Sequence, residues 1–440
     1  MRLIRWTLPA LVFVLVPFVG PAQAAPAPSP LGSDFLWGVA SSGFQAEGYS
    51  PDSNWRRYAE SDQAADRIGN SVDFLHRYKS DIKLARKMGV EVYRVGVEWA
   101  RIEPQPGVRS AEGIAFCDDL IASIVEAGMR PMITIDHWVY PGWEADLGGW
   151  KRAGMLQDWL SNAHFVVDRY AKYDPIWITI NEPTAYFLRQ LKIGALTPLD
   201  LPNFASQLVA AHKAAYAYIH SRQPGAMVSS NVAFIPGVEP VLDALFLTPM
   251  GDTLDFVGID YYYSAGPTQA RTLYSAIDQF WKADAAADGI YFALQYYAEK
   301  YPKLPLYIVE NSLPIEDHKP RSDGYLREDH LRDIVYWLEK AKADGYNVIG
   351  YNYWSLTDNY EWGSYTPRFG LYTVDVKTDP TLTRQPTAAV DAYRRIIAGN
   401  GVPATYKPSR PPTFCSFVNG VSSCAQTLQN IGGLSLPPLG

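Results

Sequence analysis

The 440-residue chain is 48% hydrophobic and 13% aromatic, and its formal net charge is -7. An acidic balance excludes charge-driven binding to nucleic acid or to an anionic membrane surface. Its three Cys and seven His are not spaced as ligands, so no metal is expected, and no cofactor.

In chain order, the first element is an export signal. Arg2 and Arg5 precede an apolar run, Trp6 to Gly20, that is too short to span a bilayer comfortably, and Ala22-Gln23-Ala24 fits a small-residue cleavage site. Removing residues 1–24 takes away two arginines, changes the charge from -7 to -9 and leaves a secreted chain with no membrane segment. The rival reading is an uncleaved anchor; no Cys follows the run to carry a lipid. Residues 25–31 read as a Pro-rich linker.

From Phe35 to about Ala398, short β-branched or aromatic runs alternate with longer amphipathic stretches, the pattern of βα units. Eight runs read as strands: Phe35–Ala40, Val92–Val97, Pro131–His137, Ile176–Glu182, Met227–Asn231, Phe256–Tyr262, Leu306–Glu310 and Val348–Trp354. Helices are expected over Val72–Met88, where Phe74, Tyr78, Ile82 and Ala85 repeat at helical spacing, and over Met155–Tyr173, Phe204–Arg222 and Asp329–Asp344. Eight such repeats close a parallel sheet into a (β/α)8 TIM barrel, an α/β fold, here one catalytic domain over residues 32–400. Cys117, in an expected helix, reads as a buried thiol. Residues 401–440 form a tail expected to be peripheral beyond about Tyr406, where Cys415 and Cys424 are placed to form a small disulfide loop in an exported protein.

Polar and aromatic residues gather where the expected strands stop. Gln45 follows the first, Arg94 lies in the second and His137 ends the third; Asn181 and Glu182 end the fourth, Tyr262 the sixth, Glu310 the seventh and Trp354 the eighth. The C-terminal strand ends of such a barrel converge on one mouth, where active sites sit. Any one of these residues could merely cap its strand; the set argues for a shared cleft. Glu182 and Glu310 each close an apolar run, a costly place for a carboxylate unless it opens into a polar cleft. Glycosidic cleavage needs such a pair: one carboxyl protonates the leaving oxygen, the other attacks the anomeric carbon or activates water.

The ordered motifs sharpen this. Phe35-Leu36-Trp37-Gly38 through Gln45-Ala46-Glu47-Gly48, Tyr93-Arg94 through Trp99-Ala100-Arg101-Ile102, His137-Trp138, Thr179 to Pro183, Trp354-Ser355-Leu356-Thr357-Asp358-Asn359-Tyr360-Glu361-Trp362 and Arg368-Phe369-Gly370-Leu371 together resemble glycoside hydrolase family 1, the β-glucosidase family. The resemblance implies a retaining enzyme acting on small-molecule or oligosaccharide β-glycosides, with Glu182 as acid/base and Glu310 as nucleophile. It implies that Asn181 binds the sugar 2-OH, that Gln45, His137, Glu361 and Trp362 grip the other hydroxyls, and that Trp354 supplies a stacking face. Tyr262 and Arg94 would hold Glu310 ionised by lowering its pKa, while Glu182 needs a raised one.

Three positions depart from the family pattern. Ser312 stands where the family has Gly after Glu310-Asn311, Asp260 stands for Asn before Tyr261-Tyr262, and the stretch Gly363-Ser364-Tyr365 is one residue short, next to the part of the pocket that would hold the sugar 4-OH and 6-OH. An additional carboxylate at 260 would shift the pH optimum or the subsite preference. A transglycosidase using the same residues, and an inactive sugar-binding barrel, are the rival functions.

Overall fold

A computed structural model describes residues 31–235, 239–262, 279–282 and 285–410. The export signal, residues 25–30 of the linker, and Cys415 with Cys424 lie outside the described residues.

Eight strands form the sheet: β1 (Leu36–Ala40), β2 (Val92–Gly96), β3 (Arg130–Asp136), β4 (Ile176–Ile180), β5 in two pieces (Met227–Ser229 and Val232–Ala233), β6 (Val257–Tyr261), β7 (Leu306–Asn311) and β8 (Val348–Trp354). All neighbours in this sheet run parallel, β1 pairing with both β2 and β8. The sheet closes through β5, whose first piece pairs with β4 and second with β6. The expected run Met227–Asn231 thus covers only the first piece. Between the pieces, the side chains of Ser230 and Asn231 bond to β4 and the turn after it: Ser230 Oγ donates to the Ile180 carbonyl at 2.8 Å, and Asn231 Nδ2 to Asn181 Oδ1 at 2.7 Å. The result is a (β/α)8 barrel.

The strands are buried on both faces, which is why they read as near-continuous apolar runs. One cluster, including Val92, Met132, Ile176, Ile178, Tyr307 and Val309, is separate from the large core that joins the strands to the helices. Helix α1 (Phe74–Met88) follows β1, α2 (Ala111–Glu126) follows β2, α3 (Met155–Tyr170) β3, α4 (Leu201–Arg222) β4, α5 (Glu239–Leu245) β5, α6 (Gly289–Lys300) β6, α7 (Arg327–Ala343) β7 and α8 (Ala388–Gly399) β8. Helix α1 starts two residues later than expected because Asp73 is left-handed, φ 57°, and it ends at Gly89, φ 90°, where a side chain would be strained. Its Phe74, Ile82 and Ala85 are buried, whereas Tyr78 is only half-buried. Cys117 on α2 is buried, and burial pushes its thiol pKa up.

Residues 401–410, the start of the expected tail, are tied to α7. Buried Asp333 accepts from Tyr406 Oη at 2.5 Å, Ser409 N at 2.8 Å and Ser409 Oγ at 2.6 Å. The chain therefore stays anchored beyond Tyr406, because a buried carboxylate needs these donors. Among the described residues no helix is long and apolar enough to cross a membrane.

Candidate active site

Val92 and Met132 belong to the cluster described above, and two residues further along the same strand faces come Arg94 and Thr134. Arg94 Nε donates to Thr134 Oγ1 at 2.9 Å, which fixes the plane of the guanidinium. Its other nitrogens reach Glu310 Oε1 at the end of β7 and, at 2.6 Å, Asn181 Oδ1 beyond β4. Tyr262 Oη donates to the second oxygen of Glu310 at 2.9 Å. Glu310 therefore has a cation on one oxygen and a hydroxyl on the other. The expectation of a lowered pKa is not met, however: burial is the largest effect and leaves the Glu310 pKa above the ordinary carboxylate value despite Arg94 and Tyr262.

Glu182 sits across the mouth as the N-cap of the helix Pro183–Lys192, with φ 38°. Backbone bonds hold this turn: Asn181 N donates to the Asp136 carbonyl at 2.9 Å and Glu182 N to the Asn231 carbonyl at 3.1 Å. Pro183 follows, its ring set for a first helical turn. No ion pair reaches Glu182 among the described residues. Burial, then the charge of Glu310, push its pKa up to about 8, against weaker pulls from Arg94 and Arg189. The two glutamates thus differ in their partners: Arg94 and Tyr262 hold Glu310, whereas Glu182, without a salt-bridge partner, keeps its proton at neutral pH.

A wall of rings and polar groups completes the site. Gln45, on the short helix Gly43–Glu47 after β1, donates through Nε2 to Glu361 Oε2 at 3.1 Å and to Asn359 Oδ1 at 3.3 Å. Trp354 Nε1 reaches Glu361 Oε1 at 3.4 Å. His137 lies nearly parallel to Trp354 and Trp362, its ring centroid 5.9 and 5.8 Å from theirs. Asn181 Nδ2 is 3.3 Å from His137 Nε2; if that nitrogen accepts, the His137 proton sits on Nδ1. That atom and Gln45 Oε1 are buried without a partner among the described residues. Burial holds His137 neutral, its pKa well below 6.5, and pushes Glu361 up to about 8.

The short stretch Gly363–Tyr365 does not swing Glu361 away. Glu361 N donates to the Ser364 carbonyl at 2.8 Å, Trp362 and Gly363 take φ 50° and 121°, and Asp66 accepts from Tyr365 N at 2.8 Å. One cavity is lined by Gln45, His137, Glu182, Tyr262, Glu310, Trp354, Glu361 and Trp362. Of the residues singled out in sequence, Arg94 and Asn181 stand behind this lining and bond to it. The cavity also takes in Trp138, Ala185, Leu188, Arg189, Ala233, Ile235 and Phe369, which form an apolar rim apart from Arg189. Strand-end reasoning missed Ala185, Leu188 and Arg189, which lie on the Pro183–Lys192 helix, and Ala233 and Ile235 at and after the second piece of β5, because none of them ends an expected strand. Asn231, which ties Asn181 to Asp260, ended an expected strand and was open to the same reasoning as its neighbours.

A (β/α)8 barrel with two carboxyls facing a cavity walled by Trp, His and amide groups is the architecture of a glycosidase. The glycosyl hydrolase family 1 model matches residues 28–233 and 236–402, and the chain belongs to that family. Among similar proteins, a galactolipid galactosyltransferase, SFR2, of Arabidopsis thaliana is 28% identical over 80% of this chain; the chain spans 61% of that relative's length. Beta-glucosidase 25 of Oryza sativa subsp. japonica is 26% identical over 89% of this chain and 99% of its own length. A beta-glucosidase from Thermotoga maritima, solved in complex with deoxynojirimycin, superposes with a TM-score of 0.71 at 23% identity, covering 85% of this chain and all of that one, a likeness of fold.

Proposed function

We propose that the protein is an exported, retaining β-glycosidase that removes terminal non-reducing β-D-hexopyranosyl units, β-glucosides first. The observation that carries this reading is the asymmetry of the two glutamates: Arg94 and Tyr262 bind Glu310, while Glu182 keeps a pKa of about 8.

In the first step Glu310 attacks the anomeric carbon as Glu182 passes its proton to the leaving oxygen. In the second, Glu182 takes a proton from water, whose oxygen displaces Glu310 with net retention. Asn181 binds the 2-OH, and Gln45, His137, Glu361 and Trp362 hold the other hydroxyls; Trp354 carries the sugar face. The unpartnered Gln45 Oε1 and His137 Nδ1 support these assignments, since a buried polar atom without a partner costs free energy that a sugar hydroxyl would recover. A 6-phosphate would have to be desolvated beside the carboxyl of Glu361, whose side-chain partners are Gln45 and Trp354 and not a cation, so unphosphorylated sugars fit best. Neither nucleic acid nor a cofactor has a role here.

Transfer to an acceptor other than water is the second reading. The apolar rim around Leu188, Ile235 and Phe369 favours an organic acceptor over water, and one relative is named a galactosyltransferase. An inactive sugar-binding barrel fits poorly with an intact carboxyl pair. The test is a panel of aryl β-glycosides, the α-glucoside and the β-glucoside 6-phosphate, each with and without an added alcohol. Preference for the α-anomer or the phosphate would sink the reading, and alkyl glycosides outweighing free sugar would favour transfer.

A further inference from the structure

Asn231 lies in the break between the two pieces of β5 and is fully buried. It touches the site twice. Its carbonyl accepts from Glu182 N at 3.1 Å, and its Nδ2 donates to Asn181 Oδ1 at 2.7 Å. The same Nδ2 donates to Asp260 Oδ2 on β6. Its own Oδ1 is buried without a partner among the described residues. A residue kept for packing alone would not bury an orphan carbonyl, because an unsatisfied buried acceptor is destabilising.

The chemistry of the partners fixes how these amides are turned. A guanidinium has donors only, so the Asn181 atom that meets Arg94 Nη2 at 2.6 Å is the oxygen. Asn231 faces that same oxygen and therefore presents its NH2 there; the second hydrogen of that NH2 needs an acceptor, which Asp260 supplies. One hydrogen bond fixes the place of an amide oxygen but not the plane of the amide, since the last torsion of an asparagine is broad. Arg94 comes from β2 and Asn231 from β5, strands on either side of β4 in the sheet order, and the two donors together fix the plane. The other end of Asn181 is held loosely. Its Nδ2 lies 3.3 Å from His137 Nε2 and 3.4 Å from Glu182 Oε2, long for hydrogen bonds, and both of those residues line the cavity. The oxygen is clamped from behind, and the NH2 is turned toward the cavity side.

We propose that Asn231, anchored by Asp260, is the positioning residue of Asn181: it holds the amide so that Nδ2 donates to the oxygen of the sugar 2-OH. This rests on the role of Asn181 in the reading above. The contact strengthens as the transition state forms, so the alignment acts on kcat more than on KM. Asp260 serves as an acceptor, which the asparagine of the family pattern would also do through its carbonyl, so the departure at 260 leaves the anchor intact. Without Asn231 the amide keeps Arg94 alone on its oxygen and turns about that bond, and a substrate loses the contact to its 2-OH. A substrate with no 2-OH has no such contact to lose.

The test uses the full chain and three aryl β-glucosides: the parent, its 2-deoxy analogue and its 6-deoxy analogue. Asn231→Ala lowers kcat/KM about tenfold for the parent and the 6-deoxy substrate, and about twofold or less for the 2-deoxy one, as expected for one misaligned hydrogen bond. Most of the loss is in kcat. In an Asn181→Ala enzyme, which has no amide to align, adding Asn231→Ala lowers kcat/KM for the parent by a further factor of about two or less. Equal losses for all three substrates, which a purely structural role would give, overturn the proposal, and so does full activity in Asn231→Ala. Should Asn231→Ala not fold, Asn231→Ser, whose hydroxyl is too short to span Asn181 and Asp260, makes the same comparison. Failure of the underlying reading looks different: the wild type gains nothing from a 2-OH or does not turn over β-glucosides. A crystal structure of the Asn231 variant then decides, a turned Asn181 amide supporting the positioning role and an unmoved one overturning it.

Discussion

Arg94 donates to Glu310 across 216 residues of sequence, from the middle of one barrel strand to the end of another. Both side chains are buried, and the pairing offsets part of the desolvation that each would otherwise carry alone. We expect Arg94→Met to lower kcat/KM by at least a hundredfold and to cost about 3–5 kcal/mol of folding stability, the usual effect of removing one partner of a buried pair. Urea unfolding and kcat/KM with one aryl glycoside check both numbers.

Glu182→Ala and Glu310→Ala should each lower kcat/KM by several orders of magnitude with the circular dichroism spectrum intact. Azide should rescue both, with opposite stereochemistry. In Glu310→Ala it attacks from the vacated face and yields the inverted azide; in Glu182→Ala it displaces Glu310 and yields the retained one. The anomer read by NMR assigns the roles, and near-wild-type activity in both variants would remove them.

The pH dependence follows from Glu182. Its pKa of about 8 in the free enzyme means that the proton needed by the leaving group is present below pH 8 and lost above it. For an alkyl β-glycoside, kcat/KM should therefore fall as pH rises through about 8. A dinitrophenyl glycoside, whose departure needs no acid, should not show that fall in kcat/KM. Matching falls for both substrates would assign the ionisation elsewhere, Glu361 being the other buried glutamate of the site with a pKa of about 8.

The segment after α8 offers a stability test. A chain ending at residue 402 leaves Asp333 with Tyr325 Oη alone, at 2.6 Å, in place of four donor contacts. It should be less stable than a chain ending at residue 410 by about 1–3 kcal/mol, the cost of an under-satisfied buried acceptor. Thermal unfolding of the two truncations compares them directly, and equal midpoints would make these contacts incidental.

Much of this barrel is legible in sequence because its strands are short apolar runs ended by functional residues; β8 begins and ends where its pattern does. The fifth strand is the exception. The expected run carries on through Ser230 and Asn231, where the strand breaks, and only the closing of the sheet between β4 and β6 assigns Val232–Ala233 to it. Glu182 and Glu310 stand out as carboxyls after β-branched runs, and Arg94 and Tyr262 as partners of Glu310. The direction of the Glu310 pKa is not legible, because burial is a property of the closed barrel. Nor is the apolar rim: Leu188 and Ile235 look like any loop or helix residue until the fold brings them to the mouth.

A covalent intermediate on Glu310 is detectable by mass spectrometry of peptides after incubation with a 2-deoxy-2-fluoro β-glucosyl reagent bearing a good leaving group. The fluorine slows both steps and the leaving group restores the first, so the intermediate accumulates. One added fluoroglucosyl mass is expected on the peptide containing Glu310, absent in Glu310→Ala. A label on another residue, or turnover of β-glucosides with no adduct at any reagent concentration, would contradict it.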